Sequence, residues 1–575
     1  MKDSLILKRI WQFAKPYKWA FLLSYSVLLL ELLLMQLTPL FLEDVINYAV
    51  YEGNMQKFLY AALWYALVFL GYGSCGFVQL LLWQRVHNKY VYNVRVSCYR
   101  KVLRMKPKLL SDLKTGDVIR TINDDTNEFH HIIQRFGMRI INAGIGTVIS
   151  LAIVAFMKWE IALLMILVIP ASAMLNKRMT GKMKKVSDEL RTKQGKYSAW
   201  LMEMLKGMRE IKLFVAEKTV LKQFVNKNRD MIRSSAKQDI IQFKSEKLID
   251  SAYFLADILF YIICAVFVAN GSINMGQYMA IASYFAMVSY NIRRILWGNV
   301  DYQKRKTCIE RVLRLLDAEE ENTEHLSDLT VRQGQIEIRN VTFAYEGENA
   351  VLKNINLAIH PGEKIGVVGQ SGVGKSTLAN LLLRFYEPQK GEILIDGQPL
   401  SGCTFSSIRQ AIGIVNQENV LFDTTVRENI TFGKEAEDQE LWTILEKAHL
   451  KEEIQRLPAG LDTILGKDGV SLSGGQAQRL CIARLMFRNP TILILDEATG
   501  SLDLETERIV QDALDELAKD RTTLVISHRY NALLHTDKIL VLHEGEQVGC
   551  APHDILMTEN TYFADMFAGQ KEVTA

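Results

Sequence analysis

Between Trp19 and Leu296 the chain carries six apolar stretches that approach or reach the length needed to cross a lipid bilayer. No other feature narrows the fold as far. Inside hydrocarbon every backbone N–H and C=O must find its partner within the protein, so each stretch is expected to be a helix. They run Trp19–Leu42, Phe58–Trp83, Ile140–Met157, Trp159–Leu175, Leu248–Ala269 and Met275–Leu296. The third and fourth meet at "KWE", which demands a tight hairpin on one side of the membrane. That turn, "YEGNMQK" and "ANGSINM" are short and carry few Lys or Arg, whereas Arg85–Arg139 and Asn176–Lys247 are long, polar and rich in both. The positive-inside rule then places both termini and the two long loops in the cytosol. The long loops keep helical periodicity with few breakers, so the helices are expected to continue well beyond the bilayer.

The spans do not account for the whole chain. At 575 residues it exceeds one compact core, and 49% hydrophobic content beside 23% charge suggests a membrane part joined to a soluble one. Charge divides the same way: residues 1–330 hold 45 Lys and Arg against 29 Asp and Glu, while residues 331–575 hold 23 against 35. The basic excess lies between apolar stretches, as membrane topology requires, so nucleic acid is not an expected partner. The seven cysteines show no CxxC or metal spacing, which reads as reduced thiols. "MKDSLILKRIWQFAKPYKW" is a basic, amphipathic lead-in without a small-residue cleavage site, so no cleavable signal peptide is expected.

After the charged stretch Asp317–Asp328 the pattern changes. "QIEIRNVTFAY" alternates like a half-buried strand, "GEKIGVVG" and "TILILDEA" read as buried strands, and "KSTLANLLLRF" reads as a helix. Strands alternating with helices indicate an α/β domain with a mainly parallel sheet. The expected fold is therefore a membrane α-helical bundle of six transmembrane helices with long cytosolic extensions, plus an α/β P-loop nucleotide-binding domain. The expected domain limits are 1–318 for the membrane part, 319–333 for a linker and 334–570 for the nucleotide-binding part.

The chemistry is carried by Gly369-Gln370-Ser371-Gly372-Val373-Gly374-Lys375-Ser376, followed by Thr377, a complete P-loop between a strand and a helix. Its glycines let backbone N–H groups wrap phosphates, Lys375 reaches the β/γ-phosphates, and the Ser376 hydroxyl is offered to Mg²⁺. Asp496 closes a later strand and can support the metal, while Glu497 beside it can polarise a water as general base. A second anion cradle follows at "LSGGQ", Leu472 to Gln476, where two glycines behind a serine open a helix.

These residues, in this order, resemble an ABC transporter half of the exporter type, over nearly the whole chain. Leu472-Ser473-Gly474-Gly475-Gln476 matches the family signature letter for letter. By the same resemblance Gln417 in "VNQE" is the Q-loop residue, also near the metal, and His528 in "VISHR" is the switch histidine. Tyr345 in "FAYEG" is the aromatic that stacks on adenine, and Asp503 in "GSLD" belongs to the D-loop. The resemblance implies ATP and Mg²⁺ as cofactors. It also implies that Ser473, Gly474, Gly475 and Gln476 of one subunit close on the ATP held by Lys375 of a second half transporter. A homodimer is favoured and a heterodimer remains open. "LKTGDVIRTINDD" and "LKGMREIKLFVAEKTVLKQF" resemble the coupling segments that dock on the nucleotide domain. One departure stands before the signature, where Lys467 and then Asp468 occupy the place of a glutamate that contacts those segments.

The implied function is ATP-driven transport, chiefly export, of an amphipathic small molecule, lipid or peptide, by an ABC-type ATPase. The implied location is a bacterial inner (cytoplasmic) membrane. Uptake of a metal chelate on the same fold and ATP-dependent gating or sensing are the alternatives. A soluble ABC ATPase is excluded by the spans. Glu31, Asp257, Arg293 and Arg294 interrupt apolar stretches, and ionised groups there should face the protein interior or a water-filled cavity. They are the candidate substrate contacts, with mutual charge pairing as the other reading.

Overall fold

The structure is a computed structural model of the chain. It describes all residues except 1–2, 114, 133–137, 322–324, 346–348, 417–418, 467–468, 499–503 and 568–575. Two compact units emerge: Met1–Leu103 with Leu113–Ala318, and Arg104–Asp112 with Glu319–Ala575.

The first unit is helical. It comprises α1 (Asp3–Ala14), α2 (Lys18–Asn47) and α3 (Met55–Arg104). α4 (Pro107–Asp112) belongs to the other unit. The short α5 (Thr115–Arg120) and α6 (Thr126–His131) lead to α7 (Arg139–Met157) and α8 (Trp159–Lys206). After α9 (Met208–Leu213) come α10 (Glu217–Ala269) and α11 (Met275–Leu316). At "KWE" a single extended residue, Lys158, separates α7 from α8, the tight turn expected there. Asn274 opens α11 with a reciprocal capping box to Gln277. The long loops are indeed helical continuations: α3, α8, α10 and α11 run to 50, 48, 53 and 42 residues.

Among the described residues four helices are long and apolar enough to cross a membrane: Asp3–Glu52, Met55–Arg104, Arg139–Met157 and Asp250–Ala269. The stretch Trp159–Leu175 opens α8, where several side chains lie outside the described residues. The stretch Met275–Leu296 opens α11, whose composition is too polar for that test. The reason is burial. Tyr284, Ser289 and Asn291 of α11 point inward, so they meet protein and not hydrocarbon. The Tyr284 hydroxyl donates to the Gln36 carbonyl at 2.6 Å. Gln36 Nε2 donates to the Gly146 carbonyl at 3.3 Å, and the Ser150 hydroxyl donates to Gln36 Oε1 at 2.9 Å. This polar seam ties α2, α7 and α11. Beside it Phe260 of α10 and Phe285 of α11 stack at 3.8 Å within an apolar cluster. Large apolar side chains cover the outside, Phe156 being 92% exposed, which reverses the usual soluble pattern.

The second unit is α/β. Its strands are β1 (Ile336–Phe343), β2 (Leu352–Ile359), β3 (Lys364–Val368), β4 (Lys390–Ile395) and β5 (Gln398–Pro399). Then come β6 (Ile412–Val415), β7 (Ile492–Asp496), β8 (Thr522–Ile526), β9 (Lys538–His543) and β10 (Glu546–Ala551). They form one sheet in the order β5-β4-β1-β2-β10-β9-β3-β8-β7-β6. The run β9-β3-β8-β7-β6 is parallel, as the sequence suggests. The other side departs from that expectation: β1 pairs antiparallel with β2 and β4, and β5 with β4. Solvent on one face is tolerable in antiparallel pairs. Accordingly β1 keeps its alternating burial, while β3 is buried almost throughout. Helix α12 (Lys375–Leu382) follows β3, and α13 (Phe405–Ala411) precedes β6. A second apolar cluster gathers α14 (Val426–Thr431), α15 (Asp438–Lys447), α16 (Lys451–Gln455) and α17 (Gly474–Arg488). The segment entering β1 is strapped down by one side chain. Asp396 accepts the backbone N–H groups of Arg332, Gln333, Gly334 and Gln335 at 2.7–3.2 Å.

Candidate active site

The strand β3 delivers the chain to Gly369, and the loop to Gly374 turns into α12. Two of its glycines are required by geometry. At Gly374, with φ 111°, a Cβ would come within 2.7 Å of Leu352 Cδ2. At Gly369 a Cβ would come within 2.5 Å of the Leu542 carbonyl oxygen. The loop must therefore lie flat on β2 and β9, leaving the N–H groups around Gln370, Ser371 and Gly372 to face an anion, while the Val373 N–H closes the turn on the Gln370 carbonyl at 3.3 Å. Lys375 is buried, and its ammonium donates to the carbonyls of Gly369 at 2.8 Å and Gln370 at 2.9 Å. Burial pulls it below the ordinary lysine range, opposed by the charges of Glu497 and Asp496.

The acids come from the neighbouring strand but one. β7 is buried until its last residue, Asp496, whose carboxylate takes a hydrogen bond from the exposed Ser376 hydroxyl. Burial raises the Asp496 carboxyl above the usual range, against that hydrogen bond and the charge of Lys375, and Glu497 adds to the rise. A hydroxyl and a carboxylate side by side are hard oxygen donors. They fit a small divalent cation that fills its other positions with phosphate oxygens and water. Glu497 sits just beyond the strand with φ 48°, the left-handed region, a backbone cost of about 1–3 kcal/mol for a residue other than glycine. Its N–H still donates to the Ile526 carbonyl at 2.9 Å, which locks the turn to β8. His528 leaves the end of β8, and its Nε2 lies 3.3 Å from Glu497 Oε1.

Tyr345 follows β1. Its hydroxyl lies 3.1 Å from Thr377 Oγ1, joining it to the helix that begins at Lys375. Its ring meets Phe343 edge-on at 5.0 Å and Tyr386 at 5.2 Å. These rings line a cavity of about 500 Å³ with Lys106, Arg384 and Phe405. Sequence reasoning named only Tyr345 here. The aromatic pair in "RFYEP" after α12 is a signal that would have found Tyr386, whereas nothing local announces Lys106, more than two hundred residues earlier.

The signature residues form a separate feature. Ser473 caps α17 with a full capping box: its Oγ accepts the Gln476 N–H, and Gln476 Oε1 accepts the Ser473 N–H. Ser473 and Gly474 are exposed and Gly475 is buried. Arg479 fixes the first turn by donating to the Gly475 carbonyl at 3.4 Å and pairing with Glu453 at 2.8 Å. Thus Lys375, Ser376, Asp496, Glu497 and His528 converge, Tyr345 joins them through Thr377, and Ser473–Gln476 present their own helix N-terminus. Gln417, Asp503, Lys467 and Asp468 lie outside the described residues.

The charges of the membrane unit are on other helices. Glu31 of α2 is half-buried against Gly76 of α3, within electrostatic range of Arg139 and Arg294. Asp257 of α10 is half-buried with one carboxylate oxygen that has no hydrogen-bond partner among the described residues, and it feels Arg293. The Arg293 guanidinium lies 5.0 Å from the Tyr253 ring centre and that of Arg294 lies 5.6 Å from Tyr290. The four residues therefore divide into two opposite-charge groups.

Comparison with known proteins agrees in extent with both units. The model for the ABC transporter transmembrane region matches residues 21–292, and that for the ABC transporter ATPase part, described as "ABC transporter", matches 352–500. Putative multidrug export ATP-binding/permease proteins of Staphylococcus aureus strains RF122 and NCTC 8325 are each 32% identical, over 98% of this chain and 100% of theirs. A solved bacterial Atm1-family ABC exporter with ATP bound superposes with a TM-score of 0.82 at 25% identity, over 97% of this chain and 99% of that one.

Proposed function

The chain belongs to the ABC transporter family, as an integral membrane exporter driven by its own ATPase, and from that premise we propose that two copies act together on two shared ATP sites. The observation that carries this reading is the pairing of a complete P-loop constellation with an exposed, fully capped signature helix start on the same chain. Each feature suits one face of a phosphate group, and two copies arranged head to tail supply both faces twice. The exposed tip Leu213, Phe214 and Val215, with Phe214 81% exposed, is an apolar surface suited to seating on the second copy. All the acidic and basic groups that the chemistry needs are present on this chain, which favours a homodimer over a heterodimer.

In this mechanism Lys375 and the loop N–H groups hold the β- and γ-phosphates, and Tyr345 stacks on the adenine against Phe343 and Tyr386. Glu497 takes the proton of the attacking water as its oxygen bonds to the γ-phosphorus and the bond to the β-phosphate oxygen breaks. His528 holds Glu497 in register with the γ-phosphate. The partner's Ser473, Gly474, Gly475 and Gln476 complete the cradle, with Gln417 and Asp503 assigned to the same nucleotide site. Ser376 and Asp496, with Gln417, would hold Mg²⁺, which neutralises charge on the phosphate oxygens.

Residues 1–318 form the transmembrane domain with six helices, 319–333 the linker and 334–570 the nucleotide-binding domain. Both termini and the nucleotide-binding domain lie in the cytosol, at a bacterial inner membrane. The cargo is an amphipathic small molecule, lipid or peptide, met in part by Glu31, Asp257, Arg293 and Arg294. The test is the chain alone, purified and reconstituted. ATP-dependent accumulation of a labelled amphipathic dye in inverted vesicles supports the homodimer exporter. A monomeric preparation without ATPase activity overturns it.

A further inference from the structure

The N-terminal segment builds a second site, unrelated to ATP. Helix α1 buries Ile6, Ile10 and Ala14, one turn apart, on its inner face. It is anchored there because the Tyr90 hydroxyl donates to the Ile10 carbonyl at 3.2 Å and Phe21 packs edge-on against Tyr90. Yet the other face of the same segment is also apolar: Leu7, Trp11 and Leu22 are exposed, and Trp19 is 72% exposed. Between these elements lies a cavity of about 450 Å³, lined by Ile10, Phe21, Leu22, Ile132 and Ile141 with Lys18 at its edge. That volume lies in the range that holds a small apolar ligand.

Charge selects the ligand. Residues 3–20 carry Lys8, Arg9, Lys15 and Lys18 against one acid, Asp3. Arg9 is engaged by Asp317, and Asp3 by Lys306 and Tyr302. Among the described residues Lys8, Lys15 and Lys18 have no carboxylate partner. The apolar run of α2 begins at Trp19, and exposed tryptophans beside lysines mark the level where hydrocarbon meets headgroups. We propose that this groove binds one anionic phospholipid, its chain between α1, α2 and α7 and its phosphate at Lys18 and Lys15. The lysines are what an anionic leaflet attracts, and the apolar groove beside them is what distinguishes a site from general surface attraction.

The test uses the full chain, delipidated in detergent and supplied with dioleoyl-phosphatidylglycerol or dioleoyl-phosphatidylcholine, with bound lipid per chain read by native mass spectrometry. The parent retains the glycerol lipid in preference to the choline lipid. Lys18→Ala lowers retention of the glycerol lipid about fivefold, the factor one lysine contributes at an anionic surface, and lowers that of the choline lipid, whose own ammonium offsets the phosphate charge, by less. Ile141→Trp fills the groove and lowers retention of both; Leu22→Asn serves the same purpose should the first variant misfold. Basal ATPase activity monitors folding. Equal retention of the two lipids by the parent overturns the proposal. So does loss with Lys18→Ala but none with either groove variant, which leaves only surface electrostatics. Displacement by inorganic phosphate alone also overturns it.

Discussion

Glu497→Gln is the sharpest perturbation of the ATP site. Glutamine keeps the side-chain length and an oxygen acceptor, so nucleotide binding and fold should persist, but its amide cannot take the proton of water. Turnover should fall by about 10²–10⁴, or about 2.7–5.4 kcal/mol of barrier. The geometry then sets the expectation for its neighbour. His528 Nε2 is 3.3 Å from Glu497 Oε1, and a hydrogen bond to a charged group contributes roughly 1.5–3 kcal/mol. The two side chains are 41% and 31% exposed, so solvent screens the contact and His528→Ala should cost only about tenfold. If His528 works by holding Glu497, it has nothing left to hold once the base is gone. The double variant should then turn over no slower than Glu497→Gln alone, within a factor of about two. The assay is phosphate release by the reconstituted chain, with trapped ATP as the measure of intact binding. A double variant whose losses multiply would refute the positioning role. Near-normal turnover of Glu497→Gln would refute the base itself.

Four further outcomes follow from the geometry. Lys375→Ala and Ser473→Ala should each abolish turnover, yet a 1:1 mixture of the two should recover activity from about a quarter of the sites, because half the dimers carry one intact site; a mixture that stays inactive after subunit exchange contradicts shared sites. Tyr345→Phe should weaken ATP binding less than tenfold, since it loses one hydrogen bond to Thr377, whereas Tyr345→Ala removes the ring and should weaken it more; equal losses measured by titration of a fluorescent ATP analogue would dismiss the stacking role. Asp396→Asn should destabilise by about 1–2 kcal/mol at pH 7. Burial raises the Asp396 carboxyl, but bonds from the N–H groups of Gln333, Arg332, Gln335 and Gly334 outweigh it and hold the group below the usual range. That stabilisation is therefore full above about pH 4 and lost as pH falls through the lowered value, so the difference between thermal melts of the two proteins should shrink steadily with acidification below pH 4; a constant difference would be inconsistent with the charge. Finally, Glu31→Gln and Asp257→Asn should leave basal ATPase and folding intact but remove its stimulation by cargo, and unchanged transport by both would make these carboxylates structural.

Much of the ATP site was legible because its parts are local. The P-loop is eight consecutive residues, and each glycine requirement, such as the 2.7 Å approach of a Cβ at Gly374 to Leu352, is written at its own position. The capping box at Ser473 is equally local, since Ser and Gln three residues apart make both bonds within one turn. What stayed hidden is what chain folding brings from a distance. Alternation in "QIEIRNVTFAY" gives β1 its buried face but not the direction of its partners, so the antiparallel side of the sheet went unread. Lys106 reaches the ring cavity only because the segment Arg104–Asp112 folds with the second unit. The left-handed turn at Glu497 leaves no mark either, because nothing in the letters "LDEA" distinguishes an acid held at φ 48° from one in an ordinary strand.

The membrane unit teaches a related lesson through α11. Its first twenty residues are too polar to count among the membrane-length apolar helices, because Gln277, Tyr284, Ser289 and Asn291 dilute the apolar letters. Yet Tyr284, Ser289 and Asn291 are buried, and α11 packs on α2, α7, α8 and α10. A helix enclosed by others can therefore carry polar groups at small cost. The seam of Gln36, Ser150 and Tyr284 shows that enclosure being used: three hydrogen bonds hold α2, α7 and α11 where apolar packing alone would let them slide. Gly146 sits at the crossing, with room for a Cβ only 3.0 Å from Leu32 Cδ1 and 3.1 Å from Asn291 Nδ2. Glu31 and Asp257 lie on two other helices packed against α11, each facing an arginine of it. The polar residues of this half thus mark the faces that helices turn towards one another. Any cargo passing between them would meet those carboxylates within the field of Arg293 and Arg294, which is why neutralising the acids should act on stimulation and not on the resting ATPase.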